Sequence, residues 1–78
     1  MSYYVYMLKS QGGKSVTYVG YTKNIKERMH RHNSGKGAKF TRGRTWKLIY
    51  KEIFKSKNKA ISREYYIKKN RTLRNKIK

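Results

Sequence analysis

Few residues in this chain could do chemistry by themselves. Its acids are Glu27, Glu52 and Glu64, with no Asp, and it has no Cys. Two-metal hydrolysis needs a cluster of carboxylates around both ions, which three isolated Glu residues do not supply. The lack of thiols excludes cysteine zinc sites and disulfides. Any hydrolysis is therefore limited to one sparsely liganded metal, or none. Among the acids, Glu64 is out of place. At 100° per residue, Ala60, Ile61 and Ile67 define an apolar helical stripe, and Glu64 falls near its middle. A carboxylate facing a core is costly unless it is paired or binds metal. One reading is an i,i+4 pair with Lys68. The other is a metal ligand at the floor of a cleft.

Arg28 and His32 are four residues apart on an earlier helical stretch, so both side chains point at one object. Ile25 and Met29 mark the buried side of that stretch. His30 points away, and Glu27 with Arg31 reads as a solvent pair. The ordinary alternatives are a surface cation reaching a phosphate for Arg28, and a helix-terminal His⁺ favoured by the dipole for His32. Eight tyrosines suit both strands and base stacking. Tyr6 and Tyr18 share a sheet face if the loop joining their strands has an odd number of residues. Tyr21 lies three beyond Tyr18, just past Gly20, and a glycine inside a strand signals a bulge or a close backbone approach.

Positioning these groups requires regular elements. Tyr3 to Lys9 (YYVYMLK) is apolar on both alternating sets and reads as a central strand. Gln11-Gly12-Gly13-Lys14 is a hairpin turn signal, and Val16 to Tyr21 is the second strand. Asn24 with Glu27 resembles a capping box and starts a helix over 25–33. A glycine loop follows, SGKGAKFTRGRT, with Lys36, Lys39, Arg42 and Arg44 around Phe40. It lacks P-loop spacing and reads as a flexible phosphate clamp with one stacking aromatic. Trp46 to Phe54 is the third strand. Ser56 caps a second helix reaching about Asn70, and the basic tail at 71–78 either prolongs that helix or frays. The order β-β-α-β-α gives an α+β class, a small, mainly antiparallel three-stranded sheet flanked by helices. The 78 residues make one domain.

Lys and Arg number 22 against three acids, a formal charge of +19. Self-repulsion of that size needs a polyanionic partner to justify it. DNA is the expected partner, with RNA the alternative. The basic segments lack the broad apolar face of a membrane-surface helix. No apolar run reaches the ~18 residues needed to span a bilayer. With no signal-peptide pattern, the expected location is the cytoplasm, or the nucleoid in a bacterium.

Tyr4-Val5-Tyr6 followed by Tyr18-Val19-Gly20 resembles the paired motif of the GIY-YIG nucleases. Behind it come the helix with Arg28 and His32, the HNSGKGAKFTRGR loop, the WKLIY strand and the REY segment carrying Glu64. The ordered set spans nearly the whole chain. It is most similar to the small stand-alone bacterial group, related to the nuclease domain of the excision-repair protein UvrC and to the Slx-type nucleases. Two positions depart from the pattern. The first motif reads YVY, keeping its tyrosine, and Tyr21 stands where the UvrC branch has lysine.

The resemblance implies an endonuclease hydrolysing DNA phosphodiester bonds with one Mg²⁺ or Mn²⁺, structure-selective or of low sequence specificity, in repair or recombination. It implies that Glu64 holds the metal, Tyr18 is the general base, Tyr6 orients it or the water, and Arg28 stabilises charge on the phosphate. His32 assists proton transfer or positions the phosphate. Tyr21, Lys36, Lys39, Phe40, Arg42, Arg44 and Lys68 are the expected nucleic-acid contacts. DNA shape or a partner protein is expected to choose the site. The rival readings are a basic module that binds DNA or RNA without cutting it, and a ribosome-associated RNA binder.

Overall fold

The computed structural model describes residues 2–12, 14–37 and 39–77. Gly13 of the expected hairpin turn, Ala38 of the glycine loop and Lys78 of the basic tail lie outside the described residues. The elements are β1 (Tyr3–Gln11), β2 (Thr17–Thr22), α1 (Ile25–Asn33), a 3₁₀ turn (Lys39–Thr41), β3 (Thr45–Phe54), α2 (Lys57–Lys69) and α3 (Arg71–Ile77). The expected α+β order is present, with one helix more than expected.

The strand order is β2-β1-β3, and both pairings are antiparallel. β1 is central, as its sequence requires. Val5, Tyr6, Met7 and Leu8 are buried in succession, which happens only when both faces of a strand are covered. Alternation divides the core in two. Val5, Met7 and Val19 pack with Ala60 and Ile67 of α2. Tyr6 and Leu8 pack with Trp46, Tyr18 and Met29 on the α1 side. A register shift between Met7 and Leu8 makes Ile49 of β3 an extra residue, so that Ile49 and Tyr50 both reach the α2 side.

Local chemistry sets the helix ends. Asn24 Oδ1 accepts from the Glu27 amide at 3.1 Å and starts α1. Ser56 Oγ accepts from the Lys59 amide at 3.4 Å and starts α2. Over 71–77 the basic tail forms a helix of its own and does not prolong α2. The chain breaks at Asn70, whose Oδ1 accepts from the Leu73 amide at 3.0 Å and so caps a separate helix. Leu73 and Ile77 then pack onto the α2-side core, which is why the tail is ordered as a helix. On α1 Met29 packs against the core as expected and Ile25 is partly covered, but the fully buried residue is His32. One further expectation is corrected. On α2 the inward stripe is Ala60, Glu64 and Ile67, and Ile61 is exposed.

Candidate active site

The hairpin brings the two tyrosines together. Residues 12–16 separate β1 from β2, an odd number, so like parities pair across the ladder: Tyr6 with Gly20 and Leu8 with Tyr18. Tyr6 and Tyr18 are therefore diagonal neighbours on the α1 face, with ring centroids 6.4 Å apart. Gly20 marks the close approach, and no bulge occurs there. A Cβ at position 20 would lie 2.6 Å from Tyr6 Oη and 3.1 Å from the Tyr18 ring. The missing side chain lets the Tyr6 ring lie across edge strand β2 and carry its hydroxyl toward the sheet edge.

That hydroxyl is the centre of a buried network. Tyr6 is 1% exposed, and Arg28 Nε donates to its oxygen at 3.3 Å. His32 Nε2 lies 2.9 Å from the same oxygen, and His32 Nδ1 lies 2.9 Å from Thr41 Oγ1. Burial pushes the Tyr6 phenol up to about 12, against the opposing pull of Arg28, with Tyr18 and Glu64 adding to the rise. Tyr6 therefore keeps its proton at neutral pH. Burial, then the Arg28 charge, lowers His32 below its ordinary value. Arg28 is held more firmly cationic, first by the Tyr6 hydrogen bond and further by Tyr18.

A neutral His32 allows two arrangements. With a bare Nε2, Tyr6 donates to it and His32 Nδ1–H donates to Thr41. With Nε2 protonated, Tyr6 Oη accepts from both Arg28 and His32, and its own proton is directed elsewhere. His32 has no exposed surface, so it cannot itself contact a phosphate.

Glu64 reaches this place from the other layer of the fold. The side-chain carboxylates divide clearly. Glu27 pairs with Arg31 at 3.3 Å in solvent, as expected. Glu52 accepts from Arg63 Nε and Nη2 at 3.0 Å and also from the Tyr50 hydroxyl. Burial opposes the shift, but the Arg63 and Tyr50 bonds hold the Glu52 carboxyl below its ordinary range. Glu64 meets the Lys68 ammonium at 3.8 Å, with its side chain 18% exposed. A long contact of this kind is worth only a few tenths of a kcal/mol. Lys68 also lies 5.9 Å from the Tyr18 ring centroid, which ties Glu64, Lys68 and Tyr18 to one edge of the sheet.

Among the described residues, no group of three or more His, Cys, Asp or Glu could hold an ion. The donor set instead fits a hard divalent ion that takes one carboxylate and completes its shell with water and substrate oxygens, as Mg²⁺ does.

Lys36, Lys39, Phe40, Arg42 and Arg44 are all exposed. The loop carrying them is anchored at its base. Thr41 is fully buried, the Trp46 indole N–H donates to its carbonyl at 3.0 Å, and Asn33 Oδ1 accepts the Trp46 amide at 2.7 Å. Phe40 lies nearly parallel to Tyr18, 6.2 Å away, with the Arg44 guanidinium 6.0 Å from its ring. Tyr21 is not part of this face. Its odd separation from Tyr18 turns it to the α2 side, where it packs against the core. Thr41 has no counterpart in the sequence reading, and Gly37 figured there only as a loop glycine. A Cβ at Gly37 would lie 2.6 Å from His32 Nδ1. The only cue in the sequence is a second glycine two positions after Gly35.

The family described as the GIY-YIG catalytic domain matches residues 2–78. A UPF0213 protein of Clostridium perfringens is 52% identical over 67 residues, covering 85% of this chain and 70% of that protein. A UPF0213 protein of Bacillus licheniformis is 49% identical over 69 residues, covering 87% and 69%. The solution NMR structure of a UPF0213 protein from Bacillus halodurans superimposes with a TM-score of 0.56 at 39% identity, covering 99% of this chain and 82% of that one.

Proposed function

The chain belongs to the GIY-YIG catalytic-domain family, within its UPF0213 group, and on that premise we propose that it is an endonuclease hydrolysing DNA phosphodiester bonds with one divalent metal ion. The family implies a nuclease that binds DNA. The observation that supports cutting by this chain is the convergence at one sheet edge of Tyr18, the Tyr6–Arg28 pair and a carboxylate with only a long lysine contact.

Glu64 is the residue that would hold Mg²⁺ or Mn²⁺. Such an ion, when bound, supplies Lewis-acid stabilisation of charge on the phosphate and the leaving oxygen. Tyr18, as its phenolate beside a cation, would take the proton of the attacking water and become the neutral phenol. Tyr6 retains its own proton, so it serves as an oriented hydrogen-bonding group and not as the base. Arg28 neutralises charge developing on the phosphate. His32 sets the direction of the Tyr6 O–H. The exposed cations at 36, 39, 42 and 44 grip backbone, which positions a duplex without reading its sequence. DNA shape or a partner protein then selects the site, as repair or recombination requires.

Cleavage of branched, single-stranded and duplex DNA in Mg²⁺ tests this reading. The parent protein is expected to cut. Glu64→Ala and Tyr18→Phe are each expected to lose about 100-fold or more in rate while still binding. Equal cutting by Glu64→Ala removes the proposed metal ligand. DNA binding that weakens with salt, without any cutting by the parent, establishes the non-catalytic binding module instead.

A further inference from the structure

The outer face of α2 is not used by the site described above. Ile61, Tyr65 and Tyr66 are 38%, 59% and 52% exposed, an unusual concentration of large apolar groups on one short helix. Each tyrosine carries a cation. Lys69 Nζ lies 4.5 Å from the Tyr65 ring centroid, and the Arg63 guanidinium lies 5.2 Å from that of Tyr66. The Tyr66 hydroxyl accepts from Asn70 Nδ2 at 3.2 Å, which fixes that ring at the joint between α2 and α3. A depression of about 560 Å³ opens there, lined by Tyr65, Tyr66, Lys69, Asn70, Arg71 and Thr72.

Charge decides what such a face accepts. α2 carries Lys57, Lys59, Lys68 and Lys69 besides Arg63, which is paired with Glu52, and its only acid, Glu64, lies on the inward stripe. A purely apolar protein partner would have to desolvate these cations, whereas a polyanion neutralises them. Exposed rings flanked by cations are what successive unpaired bases stack on while the phosphates are held. The face also adjoins the site around Tyr18. Positions 65 and 68 are neighbours on the helix surface, and Lys68 reaches over Tyr18.

We propose that Tyr65 and Tyr66, with Lys69, form a second nucleic-acid site that stacks the unpaired bases of a single strand beside the Tyr18 site. The site is one of binding, so it stands or falls independently of cleavage. The probe is fluorescein-labelled dT12, measured by anisotropy in EDTA so that no cutting intervenes, alongside a 12-base-pair blunt duplex and an abasic 12-mer. Tyr65 is the cleaner position, because its hydroxyl makes no bond to the α2–α3 joint. Tyr65→Ala is expected to weaken dT12 binding about fivefold or more, with duplex and abasic binding changed less than about twofold. Tyr65→Phe, which keeps the ring, is expected to bind dT12 within about twofold of the parent. Unchanged dT12 binding by Tyr65→Ala overturns the proposal. So does a parallel loss on all three probes, which reports only lost charge or lost fold. A shift in sedimentation with dT12 affinity intact assigns the face to protein contact instead, and also overturns it.

Discussion

His32 links the site to pH. It has no exposed surface, and burial with the neighbouring Arg28 lowers its pKa below the ordinary value near 6.5. The unfolded chain therefore takes up a proton on acidification that the folded chain refuses. Stability is full above the unfolded value and falls as pH drops below about 6.5. Thermal melts are expected to give a lower Tm at pH 5.5 than at pH 7.5, and His32→Gln is expected to flatten that dependence. An unchanged slope in the variant means that the buried imidazole is not its source. At this scale the sequence showed which residues were candidates and not what they do. The spacing of Arg28 and His32 put both on one object, and that object is the Tyr6 hydroxyl. A surface His⁺ at a helix end and a buried neutral histidine have the same sequence. Thr41 and Gly37, which enclose the ring, made the difference.

The strands were legible because their chemistry is local. YYVYMLK is apolar on both sets, and β1 is buried on both faces. Gly20 was visible as an oddity in a strand, and the cross-strand register explains it. Gly20→Ala places a methyl group 2.6 Å from Tyr6 Oη. The ring must tilt or β2 must move, an overpacking cost of about 1–3 kcal/mol. The expected outcome is a lower midpoint in urea together with loss of nuclease activity. Gly12→Ala, where a Cβ would meet nothing within 4 Å, carries only the strain of its φ of 77° and leaves the site intact. A Gly20→Ala protein with parental stability and activity would show that the close approach is dispensable. The helices were less legible. The stripe on α2 was read as including Ile61, because angular position alone does not say how much of a helix the sheet covers. The end of α2 near Asn70 was legible, but the separate helix that Asn70 caps was not, because a capping side chain amid a basic run looks like any other polar residue.

Across the whole molecule the charge of +19 has a measurable consequence. If Arg28, Lys36, Lys39, Arg42, Arg44 and Lys68 each neutralise one phosphate, DNA affinity is expected to fall about 10³-fold between 50 and 200 mM salt. Neutralising Lys39 and Arg42 together should reduce the slope of log affinity against log salt by about two. A slope near zero would disconnect the charge from binding. Composition alone pointed to a polyanionic partner, excluded thiol chemistry and left too few carboxylates for a two-metal site. Strand order and helix starts were also readable, since alternation and capping depend on residues within a few positions of one another. The sequence already set Glu64 apart on an apolar stripe and paired Glu27 with Arg31, but tertiary structure alone decided the surroundings of Glu52 and Glu64. Glu27 and Glu52 are engaged by arginines, whereas Glu64 sits inward on α2 beside the edge strand, held by one long lysine contact. The physical reason is that a carboxylate's availability depends on neighbours brought from other elements. Arg63 of α2 reaches Glu52 of β3, and Tyr18 of β2 stands near Glu64 through Lys68, across separations that no local pattern encodes.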